Sequence, residues 1–133
     1  MKAHQTQIKV RYAETDQMGV VHHANYAQYL EIGRLEWLTA LGISYKEMEE
    51  NEVMLPVVSL NVNYKKPACY DDVLTITTTL VKQPTASIEF DYEIYNENGE
   101  LLTTGYSMLV FVDIKTGRPI LPPSYVLEKI AAL

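Results

Sequence analysis

The residues best able to do chemistry stand close together between Arg11 and Tyr26, where Tyr12, Asp16, Gly19, His22, His23 and Asn25 share one short stretch. A carboxylate such as Asp16, set near a glycine and just ahead of a helix start, can act as a nucleophile or take a proton from water. An aspartate in such a place more often caps the helix or holds the turn, and spacing alone leaves both uses open. A histidine such as His23 can donate to a carbonyl, orient a water or hold the aspartate. Gly19 lets the turn adopt positive φ and lets backbone approach a ligand without a side chain in the way. The unsatisfied N–H groups expected from Val21 to Ala24, His22 included, can then form an oxyanion hole at the helix start. Asn25 reads equally well as an N-cap or as a donor in the site. Tyr12 alternates with Ile8 and Val10, so packing is its default role. Once buried, its hydroxyl needs a partner, for which Asp16 and His23 are candidates.

Elements that could position these groups are readable on both sides. Ile8, Val10 and Tyr12 alternate with polar neighbours, which predicts a half-buried strand. From Asn25 to about Leu41 the apolar positions follow helical spacing on several faces, which predicts one long helix buried on most sides. Gly33 on its apolar stripe predicts the close approach of another backbone. Ser44 to Glu50 fits a short second helix with Ser44 as N-cap. Strands are expected over Val53–Tyr64, Val73–Val81, Ala86–Tyr95 and Leu101–Asp113, the last apolar on both faces and therefore central. Tyr125 to Leu133 is expected to form a terminal helical turn. One strand, a long helix and four more strands give an α+β fold with a helix against an antiparallel sheet, in a single domain of residues 1–133.

Composition removes several functions. The 133 residues are 47% hydrophobic and 21% charged, ordinary for a well-cored globular chain. A formal charge of −6, with no basic cluster larger than Lys65-Lys66, argues against nucleic acid as a partner. No apolar run is long enough for a membrane span, and the N-terminal residues lead into no signal-type apolar stretch. The single Cys69 excludes an intrachain disulfide and fits a reducing compartment, so a cytoplasmic location is expected. His4, His22 and His23 do not make a metal set, and no phosphate-binding or dinucleotide fingerprint occurs.

The segment Arg11-Tyr-Ala-Glu-Thr-Asp-Gln-Met-Gly-Val-Val-His-His-Ala-Asn-Tyr26 resembles the signature of the 4-hydroxybenzoyl-CoA thioesterase family within the hotdog-fold acyl-CoA thioesterases. Tyr12, Asp16, Gly19, Val20, Val21, His23, Tyr26 and Arg34 stand where bacterial members of that family carry them, and the Tol-Pal-cluster type also has a histidine at the position of His23. Tyr64-Lys-Lys-Pro67-Ala and Asp71-Asp72 extend the likeness. The resemblance implies a long central helix wrapped by a curved five-stranded antiparallel sheet, and hydrolysis of acyl-CoA without metal or cofactor. It implies Asp16 as the catalytic carboxylate, nucleophile or general base, with His23 and Tyr12 in the site. Another branch of these enzymes uses a carboxylate on the helix, which makes Glu31 the alternative, although its spacing to Arg34 favours an ion pair. Cations for the CoA phosphates are Lys65, Lys66 and Arg118, with Lys82 and Lys115 also available. The resemblance further implies homodimers, often paired as homotetramers, with sites at subunit contacts. Two rivals are an acyl-carrier-protein thioesterase, which needs a basic docking patch, and a non-catalytic acyl-CoA binding module.

Overall fold

A computed structural model describes residues 2–133. Strand β1 (Ala3–Lys9) is followed by a 3-10 turn (Tyr12–Glu14), helix α1 (Asn25–Ala40) and helix α2 (Tyr45–Glu50). Then come β2 (Val53–Met54), β3 (Val57–Tyr64), β4 (Val73–Leu80), β5 (Ser87–Tyr95), β6 (Leu101–Val110), β7 (Val112–Asp113) and helix α3 (Ser124–Ala131). Five strands form one antiparallel sheet in the order β1-β4-β5-β6-β3, and β2 pairs with β7 in a small separate ribbon. The α+β architecture expected from the alternation of elements is therefore present.

Two strand expectations need correction. Val53–Tyr64 is not one strand, because Pro56 lacks an N–H and divides it into β2 and β3. The last strand is interior but not the middle one. That place belongs to β5, and the apolar run of Leu101–Asp113 divides between β6 and the ribbon strand β7.

Helix α1 lies against β1 and β4. It buries Tyr26, Tyr29, Leu30, Gly33, Arg34, Trp37 and Leu38. Gly33 does lie tight against the sheet, but it meets side chains and not the backbone that its place on the stripe predicts: a Cβ there would stand 2.6 Å from Thr78 Oγ1 and 2.8 Å from Ile76 Cγ2 on β4. The helix is less enclosed than its apolar content suggests. Gln28, Glu31, Ile32 and Glu36 form an exposed outer face, so one side of α1 is open in the single chain. Beneath the helix, Leu74, Ile76, Phe90, Tyr92 and Ile94 fill the core from β4 and β5. Ser44 caps α2 as expected, its hydroxyl accepting from the Glu47 N–H at 3.2 Å.

Candidate active site

The chain between β1 and α1 is a closed loop. Asp16 opens its tight turn: Oδ1 accepts the Met18 N–H at 2.8 Å and the Val20 N–H at 3.4 Å, while Gly19 closes the turn at φ +79°. Oδ2 of Asp16 has no partner among the described residues. One oxygen thus shapes the loop, the structural use that the sequence offered for Asp16, and the other is unengaged among the described residues. The far side of the loop is tied to the connection between β3 and β4, with the Val21 N–H donating to the Ala68 carbonyl at 2.8 Å.

These bonds correct the expected oxyanion set. Val21 and His22 spend their N–H groups on Ala68 and on the Glu14 carbonyl, the latter at 2.9 Å. The Ala24 N–H goes to His22 Nδ1 at 3.2 Å. Of the four, only the His23 N–H is without a partner among the described residues. Asn25 is neither N-cap nor site donor. It is the first helical residue, and its side-chain amide points backward to the carbonyls of Glu14 at 2.9 Å and His22 at 3.3 Å. His22 stacks on His23 with ring centroids 4.3 Å apart.

Asp16 and His23 line one cleft of about 330 Å³, together with Val21, Tyr26, Tyr64, Lys65, Lys66 and Pro67. Tyr26 and Tyr64 meet edge to face at 5.1 Å and supply an aromatic wall. Burial pushes the Tyr26 phenol above its ordinary range, and its hydroxyl accepts the Ala68 N–H at 3.3 Å. Lys66 is held by Glu100 at 2.8 Å, whereas the Lys65 ammonium has no carboxylate partner among the described residues. A carboxylate, an imidazole, a free backbone N–H and an open cation around one aromatic cleft can activate water, receive a developing oxyanion and hold a polyanionic substrate.

The model of the thioesterase-like superfamily matches residues 10–130. The chain belongs to that superfamily. Among relatives of this thioesterase-like chain, YneP of Bacillus subtilis, provisionally named an acyl-CoA thioesterase, is 40% identical over 120 residues, covering 90% of this chain and 87% of its own. The acyl-CoA thioester hydrolase YbgC of Escherichia coli O157:H7 is 34% identical over 122 residues, covering 91% of each chain. The crystal structure of a DHNA-CoA thioesterase from Staphylococcus aureus superposes with a TM-score of 0.95 at 39% identity, over 99% of this chain and 91% of that one. The fold is the hotdog.

Other residues of the thioesterase-like chain fall outside the cleft. Tyr12 does not share the face of Ile8 and Val10. The strand ends before it, the 3-10 turn swings it outward, and it is 76% exposed with its ring against Tyr70. Its hydroxyl reaches neither Asp16 nor His23. Glu31 sits on the open side of α1, its carboxylate 3.9 Å from the buried Arg34 guanidinium, which also donates to the Tyr92 hydroxyl at 3.3 Å. Arg118 lies in the tight turn after β7 and does not line the cleft, and Lys82 and Lys115 are paired with Glu89 and Glu52. The sequence reading overlooked Glu14, a buried member of the loop, and Tyr29, buried on α1. Its available signal was the Arg11-x-x-Glu14 spacing of a reciprocal cap.

Proposed function

We propose that this protein hydrolyses acyl-CoA thioesters in the cleft shared by Asp16 and His23. The observation that carries this reading is the free Oδ2 of Asp16 in the same cleft as His23, whose own N–H is unspent. A carboxylate oxygen either attacks the thioester carbon, giving an anhydride that water then opens, or takes a proton from the water that attacks. Along both routes the carbon–sulfur bond breaks, CoA leaves and takes up a proton, and the acyl group departs as a carboxylate. Negative charge gathers on the carbonyl oxygen in the transition state, and the unspent His23 N–H receives it. One such donor is typically worth about 3 kcal/mol. The His23 imidazole orients the water or the carboxylate. Lys65 takes the diphosphate of CoA with Lys66 beside it, and no metal or cofactor enters the scheme.

Tyr26 and Tyr64 support an aromatic acyl group, in keeping with the 4-hydroxybenzoyl-CoA type of the family. The exposed edge strand β3 supports a homodimer or homotetramer. Val57, Val58, Leu60 and Tyr64 on it are 44–55% exposed and leave an apolar, unpaired strand edge. The working unit is one hotdog domain, residues 1–133, in the cytoplasm, and its sites are completed at subunit contacts. Among the described residues no helix is long and apolar enough to cross a membrane. Release of free thiol from benzoyl, short-chain and long-chain CoA esters tests the reading. Turnover with a preference for the aromatic ester is expected, and binding without turnover contradicts it.

A further inference from the structure

Glu14 is a buried carboxylate that the hydrolytic scheme does not use. Only 7% of it is exposed, and both its oxygens are fully engaged. Oε1 accepts the Arg11 N–H at 2.9 Å and the Tyr29 hydroxyl at 2.8 Å. Oε2 accepts Nε and Nη2 of Arg11 at 3.1 and 3.0 Å. These bonds join the end of the β1 segment to the second turn of α1. They also fix the direction of the Glu14 carbonyl, which accepts the His22 N–H and the Asn25 side-chain amide, each at 2.9 Å.

The consequence is geometric. Asp16 follows Glu14 by two residues, and His23 directly follows His22. One residue therefore holds both limbs of the loop that carry the reacting groups, and it fastens them to the helix through Tyr29. We propose that Glu14 is a positioning residue for the reaction: its carboxylate clasps the loop to α1 and so sets the separation of Asp16 and His23. The chemistry of the clasp suits this task. Charge-assisted hydrogen bonds are short and directional, and a fully satisfied buried carboxylate resists displacement. Burial pushes the Glu14 carboxyl up, but the Arg11 N–H, the Tyr29 hydroxyl and the Arg11 guanidinium outweigh it and hold the group ionised below the usual carboxylate range.

The inference rests on the hydrolytic reading for its catalytic half and on the hydrogen-bond geometry for the rest, so the test reads both. Glu14→Gln keeps the shape of the side chain but turns an amide toward Arg11, and Tyr29→Phe removes a single hydroxyl should Glu14→Gln not fold. Amide hydrogen exchange is followed at His22 and across β4 and β5, and kcat and KM are measured for a CoA ester that the wild type turns over. Faster exchange at His22 with unchanged β4 and β5, a fall of about 100-fold in kcat, and KM within about twofold are expected, because a displacement of about 1 Å at the reacting groups costs that much. Unchanged exchange at His22 in a folded variant overturns the clasp. Faster exchange with kcat unaltered overturns its catalytic role. A wild type without turnover removes the hydrolytic reading and with it the catalytic half, while the exchange data still decide the clasp.

Discussion

The Tyr29 hydroxyl donates a 2.8 Å hydrogen bond to the Glu14 carboxylate, tying the loop that holds Asp16 to the helix that follows it. Tyr29 is 1% exposed, so water cannot replace this bond when it is lost. Hydrogen bonds to charged groups contribute about 1.5–3 kcal/mol. Tyr29→Phe is expected to lower stability by about 2 kcal/mol, read from the denaturant midpoint at unchanged slope. A variant as stable as wild type contradicts the assignment.

Acid sensitivity follows from the same carboxylate. The folded pKa of Glu14 lies below its usual 4.5, so its contribution is fully present above that value and is lost as pH falls through the folded pKa. The stability of the wild type should therefore decline as pH is lowered below 4.5, and Glu14→Gln should flatten part of that decline. Glu89 and Glu100 are shifted in the same direction, but both remain in the two proteins and cancel in the comparison. Denaturation midpoints from neutrality down through this range measure the difference.

The missing side chain at Gly33 permits the close approach of α1 to the sheet. Gly33→Ala gains roughly 1 kcal/mol of helix propensity but forces a methyl group into Thr78 and Ile76, and overpacking costs about 1–3 kcal/mol. Net destabilisation of about 1 kcal/mol is expected by chemical denaturation. Stabilisation would mean that the helix can lift from β4 without loss.

The two cleft lysines differ in what they are free to bind. Lys66 is spent on Glu100, while Lys65 is open. Lys65→Ala should raise KM for a CoA ester about fivefold, roughly 1 kcal/mol, and more than Lys66→Ala does. The effect should fade in high salt. Equal effects of the two substitutions would remove this distinction.

Periodicity and turn chemistry made much of this legible. The helix, the Asp16–Gly19 turn and the tight contact at Gly33 each follow from one residue type meeting one local requirement. The misreadings have equally local causes. Tyr12 continues in sequence an alternation that the backbone abandons after Val10, and Pro56 interrupts a run that looks continuous by hydropathy alone. Glu14 was hidden because a glutamate in a polar segment looks solvated until the Tyr29 hydroxyl, fifteen residues on, is found beneath it. The oxyanion donors were misassigned for a related reason. Which of four consecutive N–H groups stays free depends on distant acceptors, Ala68 and the Glu14 carbonyl, that local sequence does not reveal.

The proposed role of Asp16 as the reacting carboxylate is tested by Asp16→Asn with little disturbance. Asparagine keeps the Oδ1 acceptor that holds the Met18 and Val20 N–H groups, so the turn survives while the negative charge is lost. The deciding measurement is the single-turnover rate of thiol release from an aromatic CoA ester, with wild type and variant compared at equal folded concentration. A fall of at least about 1,000-fold with substrate binding retained is predicted, since a general base alone contributes about 100- to 10,000-fold. Equal rates in the two proteins would contradict that role and leave Glu31 as the alternative carboxylate.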